Sequence, residues 1–166
     1  PDYVAKINDD NKFPIKKFGA LADYILKCGI VKRFHIPTAC SIETLCKSHS
    51  LTYINQIKNK TLNLKDQKRI GFPINDSVVR RSFVATGGTV LASKLALDAK
   101  LACNTAGGSH HAAFNFGAGY CVFNDVAVAA NYLKKRGYAK KILILDLDVH
   151  QGNGNSEIFK NDRDVI

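Results

Sequence analysis

The chain has 166 residues, 46% hydrophobic and 23% charged, which suits one globular domain or a large piece of one. No apolar run approaches the roughly 20 residues of a membrane span, and five cysteines without a C-x-x-C pair give neither a disulfide framework nor a structural zinc finger. The formal charge of +10 comes mostly from scattered lysines among asparagines and isoleucines, the pattern of a solvated surface and not of a nucleic-acid stripe. Cys28, Cys40, Cys46, Cys103 and Cys121 read as reduced core residues of a cytoplasmic protein. No signal peptide is visible, although the chain opens on Pro1 and not on methionine.

In chain order, Pro1-Asp2-Tyr3 reads as the tail of a first strand. Phe18, Leu21, Ala22, Ile25 and Leu26 then follow helical spacing over 14–30, with Pro14 in the first turn and Gly29 at the stop. Ser41 and Ser50 are N-caps for short helices over 42–47 and 51–58, and His49 between them reads as a structural residue. Residues 59–69 are polar and read as a loop closed by Gly71-Phe72-Pro73. A long helix over 77–97 carries Gly87-Gly88-Thr89 at its centre, where glycine costs about 1 kcal/mol against alanine. That cost implies close approach to another backbone; a phosphate loop is the weaker idea, for want of a following Lys-Ser/Thr.

Residues 102–105 would be a short strand feeding the glycine turn Gly107-Gly108-Ser109-His110-His111. Asn124-Asp125 caps a helix that ends at Gly137, and the apolar run over 141–146 is a strand buried on both faces, as in parallel sheets. Strand, helix and strand make a right-handed crossover that brings both polar loops to one sheet edge. The expected architecture is α/β, with no repeat or domain boundary. Strand alternation points Asp146, Asp148 and His150 one way as the run leaves the core, so three groups able to bind a divalent cation converge at the carboxyl edge of the sheet. Tandem histidines beside them can supply a general base and a second electrophilic partner. A metal with an open position adds an acidified water and a polarised carbonyl. Together these make a metal-assisted amide hydrolysis site.

Three blocks carry a family resemblance: Gly107-Gly108-Ser109-His110-His111-Ala112, Gly119-Tyr120-Cys121-Val122-Phe123-Asn124-Asp125, and Asp146-Leu147-Asp148-Val149-His150-Gln151-Gly152-Asn153-Gly154. In order and spacing they resemble the signature blocks of the histone deacetylase superfamily, most closely its bacterial and class IV members. Fainter echoes lie at Phe13-Pro14-Ile15-Lys16-Lys17 and Val79-Arg80-Arg81. The resemblance implies a three-layer α/β/α fold with a mostly parallel sheet, the arginase/deacetylase fold, incomplete at both ends. It implies one zinc ion and hydrolysis of an acetyl amide, in acetyl-lysine proteins such as histones or in a related acetylated amine, with inhibition by hydroxamates.

Residue by residue, it makes Asp148 and His150 zinc ligands, and His110 and His111 the pair that activates water and protonates the leaving amine. Asp146 becomes the hydrogen-bond partner of His110 and a holder of a structural potassium ion, whereas alternation alone would also let it bind the zinc. Asn153 is the partner of His111, a neutral amide where some relatives carry an acid. Gly119 and Tyr120 line the tunnel for the acetyl-lysine stem, with tyrosine in place of the usual phenylalanine. Phe114-Asn115-Phe116 departs from the more polar loop of relatives.

The family's third zinc ligand, an aspartate, and its oxyanion tyrosine have no match here, so residues 1–166 are expected to be the N-terminal portion of a single catalytic domain, inactive alone. No membrane or direct nucleic-acid partner is expected. Two alternatives stand beside this reading. An arginase-like dimanganese hydrolase shares the fold but resembles Asp-Ala-His-x-Asp at the ligand strand, whereas Val149 and Gln151 flank the histidine here. An inactive truncated remnant would keep the fold alone.

Overall fold

In the computed structural model, which describes residues 2–166, five of the seven helices begin at a serine or asparagine whose side chain accepts a backbone N–H three residues on. Such caps satisfy donors that the first turn leaves free. Ser41 and Ser50 cap α2 (Ile42–Leu45) and α3 (Leu51–Lys58) as expected. Asn63 caps α4 (Leu64–Ile70), which replaces the loop expected over 59–69. Over 59–69 only Leu62 and Leu64 are large and apolar, so no apolar stripe marks a helix there. The cap, Asp66 in the first turn and Gly71 at φ 86° nonetheless define a helix.

α1 (Lys17–Lys27) is shorter than the periodicity suggested, with Pro14 in the turn before it. Only Phe18 of its apolar face is buried, while Leu21, Tyr24 and Leu26 are exposed. α5 (Asp76–Ala99) and α6 (Asp125–Lys135) form the main helix pair, and α7 (Asn153–Phe159) was not anticipated. Gly87 explains the tolerance of glycine within α5: a side chain there would strike the Thr38 carbonyl and come within 3.1 Å of Cys40 N. The Cys40 N–H donates to Phe83 O at 2.9 Å, so residues 38–40 lie directly on the helix. The core gathers Leu45, Tyr53, Ile54, Ile57, Ile70 and Val128. No helix among the described residues is long and apolar enough to cross a membrane.

The expected sheet is present only as a trace. Among the described residues no strand forms; one parallel bridge joins Ile142 to Val165, and one antiparallel bridge joins Ala118 to Cys121. Ile142 and Ile144 donate to Asp164 O and Ile166 O at 2.8 Å, and Ile166 donates back to Ile142 O at 2.9 Å. Residues 102–105 join no ladder, so the strand–helix–strand crossover is not realised as a paired unit.

Burial of the 141–146 run on both faces is also overturned. Ile142 and Ile144 pack against Ala127, Ala130, Phe159 and Val165, but Leu143, Leu145, Leu147 and Val149 are 72% to 93% exposed. A strand needs neighbours on its edges and helices on its faces to bury both rows, and here an open groove of about 360 Å³ lies between the run and α6.

At the N-terminus, Pro1 lies outside the described residues and Asp2-Tyr3 form a turn instead of a strand tail. Asp2 accepts from Arg80 at 2.7 and 3.0 Å, and the Tyr3 carbonyl from Arg81 Nε at 3.0 Å. All five thiols are free, but only Cys40 and Cys121 are core residues; Cys28, Cys46 and Cys103 are exposed.

Candidate active site

The tandem histidines sit in a turn that glycine makes possible. Gly108 has φ 93°, which a side-chain-bearing residue rarely adopts. His110 is buried, His111 is half-buried, and their ring centroids are 4.2 Å apart. His110 Nδ1 lies 2.6 Å from Asp146 Oδ2, and His111 Nδ1 lies 2.7 Å from Asn153 Oδ1. Both oxygens are acceptors, so each Nδ1 donates, and in the neutral form of each ring Nε2 is the bare nitrogen. Bonding to the His110 ring, and then to the Asp148 N–H at 3.0 Å, holds the Asp146 carboxyl below its usual range.

α7 delivers Asn153 to the site. The N–H groups of Gly154 and Asn155 donate to His110 O at 2.9 and 3.2 Å, so the start of the helix rests on the histidine backbone. A side chain at Gly154 would run into the carbonyls of His110 and Ala112, and one at Gly152 would meet Asp146 Oδ2. The spacing of these glycines is therefore a packing requirement of the two histidine pairs.

Asp148 and His150 stand beside this pair in the open. Asp148 Oδ1 accepts from His150 N at 2.7 Å and lies 2.8 Å from His150 Nδ1. Those hydrogen bonds, the backbone one first, lower the Asp148 pKa. The His150 ring is edge-on to His111 at 5.9 Å, so three imidazoles and two acids from separate turns do meet. Asp146 does not join Asp148 and His150 as a third cation-facing ligand, as alternation suggested: its oxygens are taken by His110 and by the Asp148 N–H. Among the described residues no three His, Cys, Asp or Glu side chains gather as a metal site. Asp148 and His150 fit zinc in donor type, an imidazole and a carboxylate already sharing one proton that a cation would replace, and would supply two ligands.

Gly119 lies against the His111 ring, where a side chain would come within 2.6 Å of His111 Cδ2. Tyr120 takes φ 64°, with its N–H on Ile70 O, and its ring packs with Phe13 and Phe72 at centroid distances of 4.9 and 5.3 Å. The Phe114 N–H donates to Glu157 Oε2 at 3.1 Å, which ties that loop to α7.

Two features went unread in the sequence. His49 is buried and bonds Ala113 O and Asn124 N, each at 2.9 Å, so it supports the histidine turn as well as the α2–α3 junction. Asp125, read only as part of a cap, receives the Gly108 and Ser109 N–H groups. An acid directly after the cap residue and a Gly-Gly pair elsewhere in the chain were the available signals.

Comparison with known proteins gives this geometry a family. An uncharacterized protein of Picosynechococcus sp. is 42% identical over 100% of this chain and 56% of its own length. Histone deacetylase 2 of Arabidopsis thaliana is 28% identical over 92% of this chain and 42% of its own. The crystal structure of an HDAC homologue complexed with SAHA superposes with a TM-score of 0.81 at 26% identity, covering 98% of this chain and 46% of that one. The chain thus spans about half the length of the relatives it matches, and its fold is theirs over that half. The model of the histone deacetylase domain matches residues 12–166, the stretch that holds every histidine pair described above, and this chain belongs to the histone deacetylase family.

Proposed function

We propose that the protein is a zinc-dependent hydrolase of acetyl amides, acting on acetyl-lysine or a related acetylated amine. The observation that carries this reading is the pair of imidazoles 4.2 Å apart, each with Nδ1 held by an oxygen, which leaves Nε2 of the neutral ring bare. A bare Nε2 accepts a proton, and an oriented pair can take one from water and return one to a leaving amine. The Asp146 carboxylate would stabilise positive charge on His110; the Asn153 amide orients His111 without adding charge.

Asp148 and His150 would hold the zinc, which when bound would polarise the amide carbonyl and acidify the attacking water. The third protein ligand and the oxyanion tyrosine that the family resemblance calls for are matched by no motif in this sequence. Asp146 would also help hold a structural potassium ion. Gly119, lying on His111, would form one wall of the acetyl-lysine channel, with Tyr120 and its aromatic neighbours beside it.

Acetate release from acetyl-lysine peptides by the zinc-loaded, full-length protein tests the reading. Activity that disappears in His110→Ala and His111→Ala, with one zinc bound per chain, is the expected result. A metal-loaded protein inert on a broad panel of acetylated amines overturns it, and two manganese ions per chain would point to arginase-like chemistry.

A further inference from the structure

Asp125 is 2% exposed, yet its carboxylate caps no N–H of its own helix and, among the described residues, makes no ion pair. The capping bond of α6 is made by Asn124, whose Oδ1 accepts from Ala127 N at 2.9 Å. Asp125 turns away from that helix. Its Oδ1 accepts from Ser109 N at 2.7 Å and Gly108 N at 3.1 Å, and its Oδ2 accepts from Gly108 N at 3.1 Å and from the Thr89 hydroxyl. Thr89 in turn accepts from Asn104 Nδ2 at 2.7 Å, which also donates to Ala85 O at 3.0 Å. The chain of bonds runs from the middle of α5 to the peptide that enters His110.

The other end of the turn is held by the neighbouring residue. Asn124 Nδ2 donates to Ala112 O at 3.0 Å and to Asn155 Oδ1 at 2.8 Å, and His49 Nδ1 donates to Ala113 O. Two consecutive residues at the start of one helix therefore grip both ends of the turn that carries the tandem histidines.

We propose that Asp125 is a positioning residue for this pair: by holding the Gly108 and Ser109 N–H groups from the fixed start of α6, it sets the reach of His110 to Asp146 and of His111 to Asn153. The residue type follows from the donors. Three hydrogens converge on two oxygens, so an acceptor-only group is required, and an asparagine amide would turn its own N–H groups toward one of those donors. A side chain at Gly107 would come within 2.7 Å of Asp125 Oδ2, so glycine there is what lets the carboxylate approach the turn.

The test compares the full-length protein with Asp125→Asn and follows two readouts. In metal-free protein, NMR reports the His110 Nδ1 proton shared with Asp146; in zinc-loaded protein, kcat, KM and zinc content are measured on an acetyl-lysine peptide. The His110 resonance should be lost or displaced, and kcat should fall by about ten- to a hundredfold with zinc content unchanged and KM within about twofold. A resonance retained at the wild-type position, whatever the loss of stability, makes Asp125 a merely structural residue and overturns the proposal. The kinetic readout alone rests on the deacetylase reading. If wild-type protein cleaves no acetylated amine, that reading fails while the resonance still decides the role of Asp125. Should Asp125→Asn not fold, Thr89→Val removes one donor to the carboxylate and takes its place; a smaller displacement of the same resonance is expected, and none overturns the proposal.

Discussion

His49 gives a pH dependence of stability that can be worked from the structure. The Asn124 N–H can only donate, so Nε2 of His49 is the bare nitrogen and Nδ1 carries the proton to Ala113 O. A second proton would set an N–H against the Asn124 N–H inside the core, where the side chain is 1% exposed. Burial accordingly pushes the pKa from 6.5 down to about 4. Between those values the unfolded chain binds a proton that the folded chain refuses. Stability is therefore complete above about pH 6.5, falls as pH drops through the window, and levels off below about pH 4. At about 1.4 kcal/mol per unit, the full loss is about 3 kcal/mol, of which about 2 kcal/mol falls between pH 7.5 and 5. His49→Gln can make both hydrogen bonds and does not titrate. Urea unfolding of wild-type and variant protein across that range isolates the histidine, and the stability of the wild type relative to the variant should drop by about 2 kcal/mol toward pH 5. A difference constant within about 0.5 kcal/mol would refute the neutral, buried assignment.

Asp146→Asn keeps an acceptor for His110 but removes its charge, and should lower kcat/KM on an acetyl-lysine peptide by about ten- to a hundredfold; less than a threefold change, on the order of ordinary surface variation, would count against an electrostatic role. Gly87→Ala gains about 1 kcal/mol of helix propensity but drives a methyl into the Thr38 carbonyl, an overpacking that costs about 1–3 kcal/mol. A net loss of stability is expected in urea unfolding, and a gain would show that residues 38–40 do not lie on α5.

What could be read from the sequence was whatever depends on local chemistry. Ser41, Ser50 and Asn124 cap their helices because a short polar side chain reaches the N–H groups of its own first turn, whatever lies elsewhere. The histidine pairings, 36 and 42 residues apart, were legible only through the resemblance, since no local rule joins His110 to Asp146 or His111 to Asn153. α4 was missed because its helical signal is a cap and a terminal glycine without an apolar stripe. α7 was missed because Gly152 and Gly154 look like loop residues; their lack of side chains serves the close approach to Asp146 and to the His110 carbonyl.

The run over 141–150 shows why periodicity alone misled at the decisive residues. Alternation holds where the chain has a partner, at Ile142 and Ile144, which face the 164–166 segment and α6. Beyond them the backbone has no ladder, and the two aspartates accept N–H groups themselves: Asp146 Oδ1 takes Asp148 N, and Asp148 Oδ1 takes His150 N. Each bond spans two residues, the local closure that aspartate favours in turns, and it aims successive side chains differently from a strand. Asp146 is thereby left to His110, while Asp148 and His150 face each other in the open beside His111. The same two carboxylates that end the extended run thus divide the proposed site, Asp146 going to the histidine that would handle the proton and Asp148 to the pair that would hold the cation.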